Sequence, residues 1–174
     1  GGNPETMNEP SLLYPGQLGV RFSIKNPPRT TPSTDELEDG TPKGYQIVAT
    51  DSSMTQNPFD GAVAWWSSQK DYRVTTTVTT LGRGRVAGIF KNAVTPGNYA
   101  CVQQEGKGTV KFIDAVAAAP TAAGLLVIPS ATNGKADCLA AGTAATYPII
   151  GRSASVYNAA EATAVVDLAI PAVY

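Results

Sequence analysis

The chain has 174 residues, 43% of them hydrophobic, with 13 basic and 14 acidic side chains, two cysteines and no histidine. That length fits one domain plus an arm, and that apolar share is enough to bury a core. A net charge of −1 offers no basic footprint to displace counterions from phosphates, so no nucleic-acid partner is expected.

No apolar run is long enough to cross a bilayer as a helix, so no membrane partner is expected either. The polar, Pro-rich start has no apolar stretch of the kind a signal peptide carries. Charged residues make up 16% of the chain, below the roughly 25% of ordinary soluble domains. A weakly charged surface suits contact with other protein, although a plain Ala/Thr-rich globule fits the same composition.

Residues 1–45 differ from the rest. They hold Pro4, Pro10, Pro15, Pro27, Pro28, Pro32 and Pro42, seven of the thirteen prolines, and the acidic run Asp35-Glu36-Leu37-Glu38-Asp39. Each proline fixes φ, removes a donor and pushes its predecessor toward extended geometry. Within them Leu18–Ile24 alternates, placing Val20, Phe22 and Ile24 on one face. The segment reads as an extended N-terminal arm with one short strand, Val20, Phe22 and Ile24 being candidate partner contacts. Such a strand could add to a neighbour's sheet edge; a plain flexible tail is the alternative.

Residues 46–174 read as short strands separated by turn signals about every eight to twelve residues, the pattern of an all-β small barrel or sandwich. The strands expected are 46–51, 72–81, 85–92, 98–104, 109–114, 125–129, 136–139, 149–156 and 164–170. Pro96-Gly97 and Gly106-Lys107-Gly108 read as turns, and Asn133-Gly134 as a type I′ hairpin. The Ala-rich segments 114–123 and 158–163 are too short to stand as helices. Trp65 and Trp66 are adjacent, and neighbours on a strand face opposite ways. At most one is therefore expected in the core; the other is exposed, meets a partner, lies flat under a loop or forms a carbohydrate platform. Arg83 and Arg85 form a local basic pair that reads as a salt-bridged or solvated face.

The absence of histidine removes His-based triads, general bases and zinc ligands together, and two cysteines cannot make a four-thiolate site. No metal or other cofactor is expected. Cys101 and Cys138 could pair, but buried free thiols are the commoner state in apolar strands. The glycine-rich stretches fail the spacing of dinucleotide and phosphate loops. A glycosidase would need two carboxylates roughly 5–10 Å apart. Asp35, Glu36, Glu38, Asp39 and Glu105 lie in loops or the arm, and Asp60, Asp71, Asp114, Asp137 and Asp167 are scattered singly. The expectation is a protein without enzymatic activity.

Three segments carry a family resemblance: Arg85-Val86-Ala87-Gly88-Ile89-Phe90-Lys91-Asn92-Ala93, Val94-Thr95-Pro96-Gly97-Asn98-Tyr99-Ala100-Cys101-Val102-Gln103, and Gly108-Thr109-Val110-Lys111-Phe112. Their order resembles one half of the small β-barrel of tailed-phage head decoration (cement) proteins. Residues 123–130, 133–136, 149–155 and 164–170 look like the closing strands of such domains. The resemblance covers about half the chain. It implies a virion protein on the capsid exterior, made in the host bacterial cytoplasm, that stabilises the shell with the major capsid protein as partner. It further implies self-association, as a homotrimer, and no cofactor. Another virion part, such as a tail or fibre base or a receptor-binding module, is the runner-up, followed by a carbohydrate-active enzyme.

Overall fold

The computed structural model describes residues 4–12, 15–25, 41–78, 85–113, 119–145 and 147–171. Their strands are β1 (Arg21–Lys25), β2 (Pro42–Thr50), β3 (Val63–Ser68), β4 (Arg73–Thr75), β5 (Val86–Phe90), β6 (Tyr99–Lys111), β7 (Leu126–Pro129), β8 (Ala136–Cys138), β9 (Gly151–Ser153) and β10 (Thr163–Ala169). Two three-residue 3-10 turns, Pro4–Thr6 and Pro15–Gln17, precede them. The protein is all-β.

Five strands close a barrel. They run β2-β4-β3-β5-β6, and β6 pairs back with β2. All these pairings are antiparallel except β2–β4. A ring this narrow has room for little, and its interior is filled accordingly by Val48, Ala62, Ala64, Trp66, Val74, Ala87, Phe90, Val94, Ala100 and Val102. Four alanines let the walls approach; Trp66 and Phe90 fill what remains.

β6 is 13 residues long and belongs to two sheets. Its first half pairs with β2 and β5, and residues 105–111 pair with β10. The second sheet continues β10-β9-β7-β8. A parallel bridge from Phe112 to Ala136 brings β8 back toward the end of β6. A second core lies between this sheet and the barrel wall: Val63, Trp65, Val86 and Ile89 from the wall meet Phe112, Val127, Ile150, Val166 and Leu168.

The hairpin joining β7 to β8 also ties the two units. The Val63 amide donates to the Gly134 carbonyl at 3.0 Å, and the Gly134 amide to the Thr76 carbonyl at 3.0 Å. Asn133 Oδ1 accepts from the Val78 amide at 2.9 Å. Gly134 has φ +67, but Asn133 is not in the left-handed region, so the expected type I′ turn is replaced by a longer loop. Its Asn133 side chain faces the barrel.

Three further expectations are corrected. Gly106-Lys107-Gly108 is not a turn but lies within β6: Gly106 takes φ +79, where a Cβ would collide with the Pro42 carbonyl oxygen. Glycine there allows the strand to bend without ending. The predicted strand 72–81 contracts to β4, because residues 76–78 leave the sheet and 79–81 fall outside the described residues. Both Trp65 and Trp66 are buried, at 5% and 6% exposure. They do face opposite ways, but β3 has a core on each side, so neither is left out.

Candidate docking surfaces

β1 does not project from the protein. It pairs antiparallel with the first half of β2 (Arg21↔Gln46 through Lys25↔Pro42), on the edge that β4 occupies further along. The boundary expected after residue 45 therefore falls inside β2, and the described parts of residues 1–45 are laid on the barrel. The acidic run at 35–39 lies outside the described residues, as does Arg83 of the basic pair.

The face predicted for β1 is present. Phe22 stacks on Tyr45, its cross-strand partner, with ring centroids 5.7 Å apart and planes 19° apart. Val20 and Ile24 flank it at 44% and 37% exposure. The opposite side of β1 points to the barrel mouth. There Arg21 Nε donates to Gln104 Oε1 at 2.9 Å, and Gln104 Nε2 donates to Gln46 Oε1 and the Ala87 carbonyl, both at 2.8 Å. Gln46 Nε2 completes the chain at the Gly19 carbonyl, 3.0 Å away. Gln46 and Gln104 are fully buried, and their bonded amides close the mouth without stranding a polar group.

Among the described residues, no strand pairs with the outer edge of β1. The Val20 carbonyl accepts from the Ile47 amide at 3.0 Å. By antiparallel alternation Phe22 and Ile24 also bond β2, so the amide and carbonyl of Ser23 point away from it. Pro42, which has no N–H, sits opposite Lys25, where β1 requires no donor from it. Beside this margin lies an open groove of about 410 Å³, lined by Arg21, Thr41, Glu105, Asp167, Ile170 and Pro171 among others.

Sequence reasoning missed a second feature. The segment Pro4–Glu9 straps the outer face of β2 and β6. The Tyr45 hydroxyl donates to Glu5 Oε1 at 2.8 Å, and Lys43 Nζ lies 3.8 Å from the same oxygen. Met7 Sδ is 3.4 Å from Cys101 Sγ. Asn8 Oδ1 accepts from the Thr95 amide and from Asn98 Nδ2 at 3.1 and 2.8 Å. Glu9 and Tyr99 exchange backbone bonds of 3.1 and 2.8 Å. Burial first, then the Glu5 carboxylate, pushes the Tyr45 phenol above its ordinary value. Burial alone pushes Cys101 up to about 12. Lys91 is lowered, chiefly by burial.

Cys101 and Cys138 are both free. Cys138 is pushed up to about 11 by burial and by Asp137. No group of three or more Cys, Asp or Glu among the described residues could hold a metal ion. Several carboxylates among the described residues have structural partners. Asp51 accepts from the Ser53 amide and hydroxyl, which holds it below the usual range, Asp71 accepts from Ser68, and Asp60 lies 4.0 Å from Lys91. Glu105 and Asp167 share the groove, and both are exposed.

No family model matches the chain. No curated protein matches it either. Among solved structures it is similar to the N base of the head fiber gp8.5 of bacteriophage phi29, with 8% sequence identity and a TM-score of 0.46. The match covers 75% of this chain and 97% of that one.

Proposed function

We propose that this chain is a structural, non-enzymatic protein of a phage virion that decorates the capsid exterior and docks through the β1 margin. The edge of β1 around Ser23, with which no strand among the described residues pairs, carries the docking reading. The barrel itself is ringed by backbone pairing, whereas β1 offers the outward amide and carbonyl of Ser23 beside a half-exposed Val20/Phe22/Ile24 face. An extended strand of the major capsid protein can pair there, gaining main-chain bonds along the edge and side-chain contacts on the face. The resemblance of residues 85–112 to decoration proteins supports the virion role.

A margin occupied by a capsid strand cannot at the same time pair with a second copy of itself. The homotrimer is accordingly proposed to use another surface, leaving β1 for the shell. Many weak contacts around a symmetric clip add up to firm attachment.

The carbohydrate-active alternative has one feature in its favour, the shared groove of Glu105 and Asp167. Both carboxylates lie in contact with solvent, whereas a general acid serving near neutral pH is one shielded from it. The sharpest test is Ser23→Pro. Ser23 sits opposite Gly44 with its amide turned outward, so proline removes a donor from the open edge and none from the β1–β2 ladder. The variant should keep its circular dichroism and lose most of its occupancy on empty heads. Unchanged occupancy would remove the β1 margin from the docking site. A Glu105→Gln variant that abolished measurable glycan turnover by the native protein would establish the enzymatic alternative.

A further inference from the structure

Residues 4–9 hold their place differently from everything they touch. None of them belongs to either core. Of the six only Pro4 is buried, and the segment's attachments among the described residues include side-chain hydrogen bonds, the Glu5–Lys43 ion pair, a sulfur contact and the isolated Glu9–Tyr99 bridge. A segment with so little apolar burial opens at a small fraction of the free energy needed to unfold the sheet beneath it.

The surface it covers is different in kind. Tyr45 and Cys101 are each 1% exposed, and Lys43 is buried. Glu5 bonds the Tyr45 hydroxyl, lies beside Lys43, and contributes to the electrostatic field at the partly buried Lys91, where Lys43 opposes it and Asp60 supports it. Without Glu5 the phenol loses an acceptor and the two lysines lose one of their counter-charges.

We propose that Pro4–Glu9 is a latch that opens as a unit, with the Glu5 carboxylate as its fastening, and that opening bares the outer β2–β6 face around Cys101 while both cores stay intact. This goes beyond the docking reading and does not depend on it: the latch lies on the barrel's outer face, not on the open edge of β1.

The two thiols supply the reporter and its control. Cys101 lies under the latch, and Cys138 lies half-buried on β8 in the other unit. Alkylation of the native full chain with iodoacetamide, followed by peptide mass spectrometry, reads the two rates separately. Glu5→Gln removes the charge but keeps the shape. It should raise the Cys101 rate by about ten-fold or more, the usual scale for losing a charge-assisted hydrogen bond, and leave Cys138 unchanged. Glu5→Asp should restore part of the protection. An unchanged Cys101 rate in Glu5→Gln would overturn the latch. If both thiols instead accelerate together, Asn8→Ala decides, since it loosens the same segment at the 95–98 turn without touching either lysine. A selective Cys101 increase there supports the latch, and none refutes it.

Discussion

The barrel and the C-terminal sheet share β6 yet are built on opposite plans. The barrel's core comes from its own strands and the adjoining segments at 62 and 94, and its mouth is closed by the Arg21–Gln104–Gln46 chain. The C-terminal sheet has no such independence. Its core is completed by Val63, Trp65, Val86 and Ile89 from the barrel wall, and one bridge at Phe112–Ala136 brings its ends together. Charge follows the same division, since only six of the 27 charged residues lie from 114 onward. The barrel should therefore be able to stand without the C-terminal sheet, whereas that sheet needs the barrel wall.

The largest effect should come from the residue that joins them. Trp65 belongs to the second core and meets Tyr147 edge-on, with centroids 5.9 Å apart. Trp65→Ala should cost about 3–5 kcal/mol in urea unfolding. The native chain should unfold in a single transition because β6 is common to both units. In the variant the C-terminal sheet should fail first. Loss of both units together in Trp65→Ala would mean the barrel does not stand alone.

Gln104→Leu strikes the barrel instead. It takes a partner from Arg21, Gln46 and the Ala87 carbonyl at once, and a stranded buried polar group costs about 1–3 kcal/mol. The loss should begin at the barrel mouth, visible as faster amide exchange in β2 and β5 while β7 and β8 keep their protection. Uniform acceleration across both sheets would contradict an independent barrel.

Each region also carries one thiol, so alkaline pH probes both. Cys101 and Cys138 are raised in the fold to about 12 and about 11 from an unfolded value of 9.0. The folded state then binds more protons than the unfolded state between those limits, so stability falls as pH rises. Tyr45, also raised, adds to the fall at higher pH, while Lys91, lowered by burial, works in the opposite sense. The Tm should decline from about pH 9 upward. Cys101→Ala should flatten that decline more than Cys138→Ala, the larger shift being at Cys101.

The strand content was legible because Thr, Val and Ile runs alternate between turn residues, as in Thr163–Ala169 and Val86–Phe90. Barrel closure was not, since it rests on β2 pairing with β6 at separations from Ala49–Tyr99 to Gly44–Glu105, and local pattern carries no trace of such a contact. Gly106-Lys107-Gly108 misled because a glycine in a bent strand and a glycine in a turn look alike in sequence. The Trp pair misled because the strand rule counts two faces but not two cores. The face of Val20, Phe22 and Ile24 was readable, whereas the pairing of β1 with its own chain was not. Gln46 and Gln104 left a usable signal: each falls on the alternation that continues into Val48 or Val102, a polar residue at an inward position. The latch left none, because Glu5, Met7 and Asn8 find their partners 40 to 94 residues away.

The proposed role has two halves, a place on the outside of a phage head and attachment there by the β1 margin. A density map of intact virions that carry the protein tests both halves at once. This fold should lie on the outer capsid surface with a capsid strand along Arg21–Lys25. Finding it only at the tail, or on the head with β1 facing solvent, would contradict it.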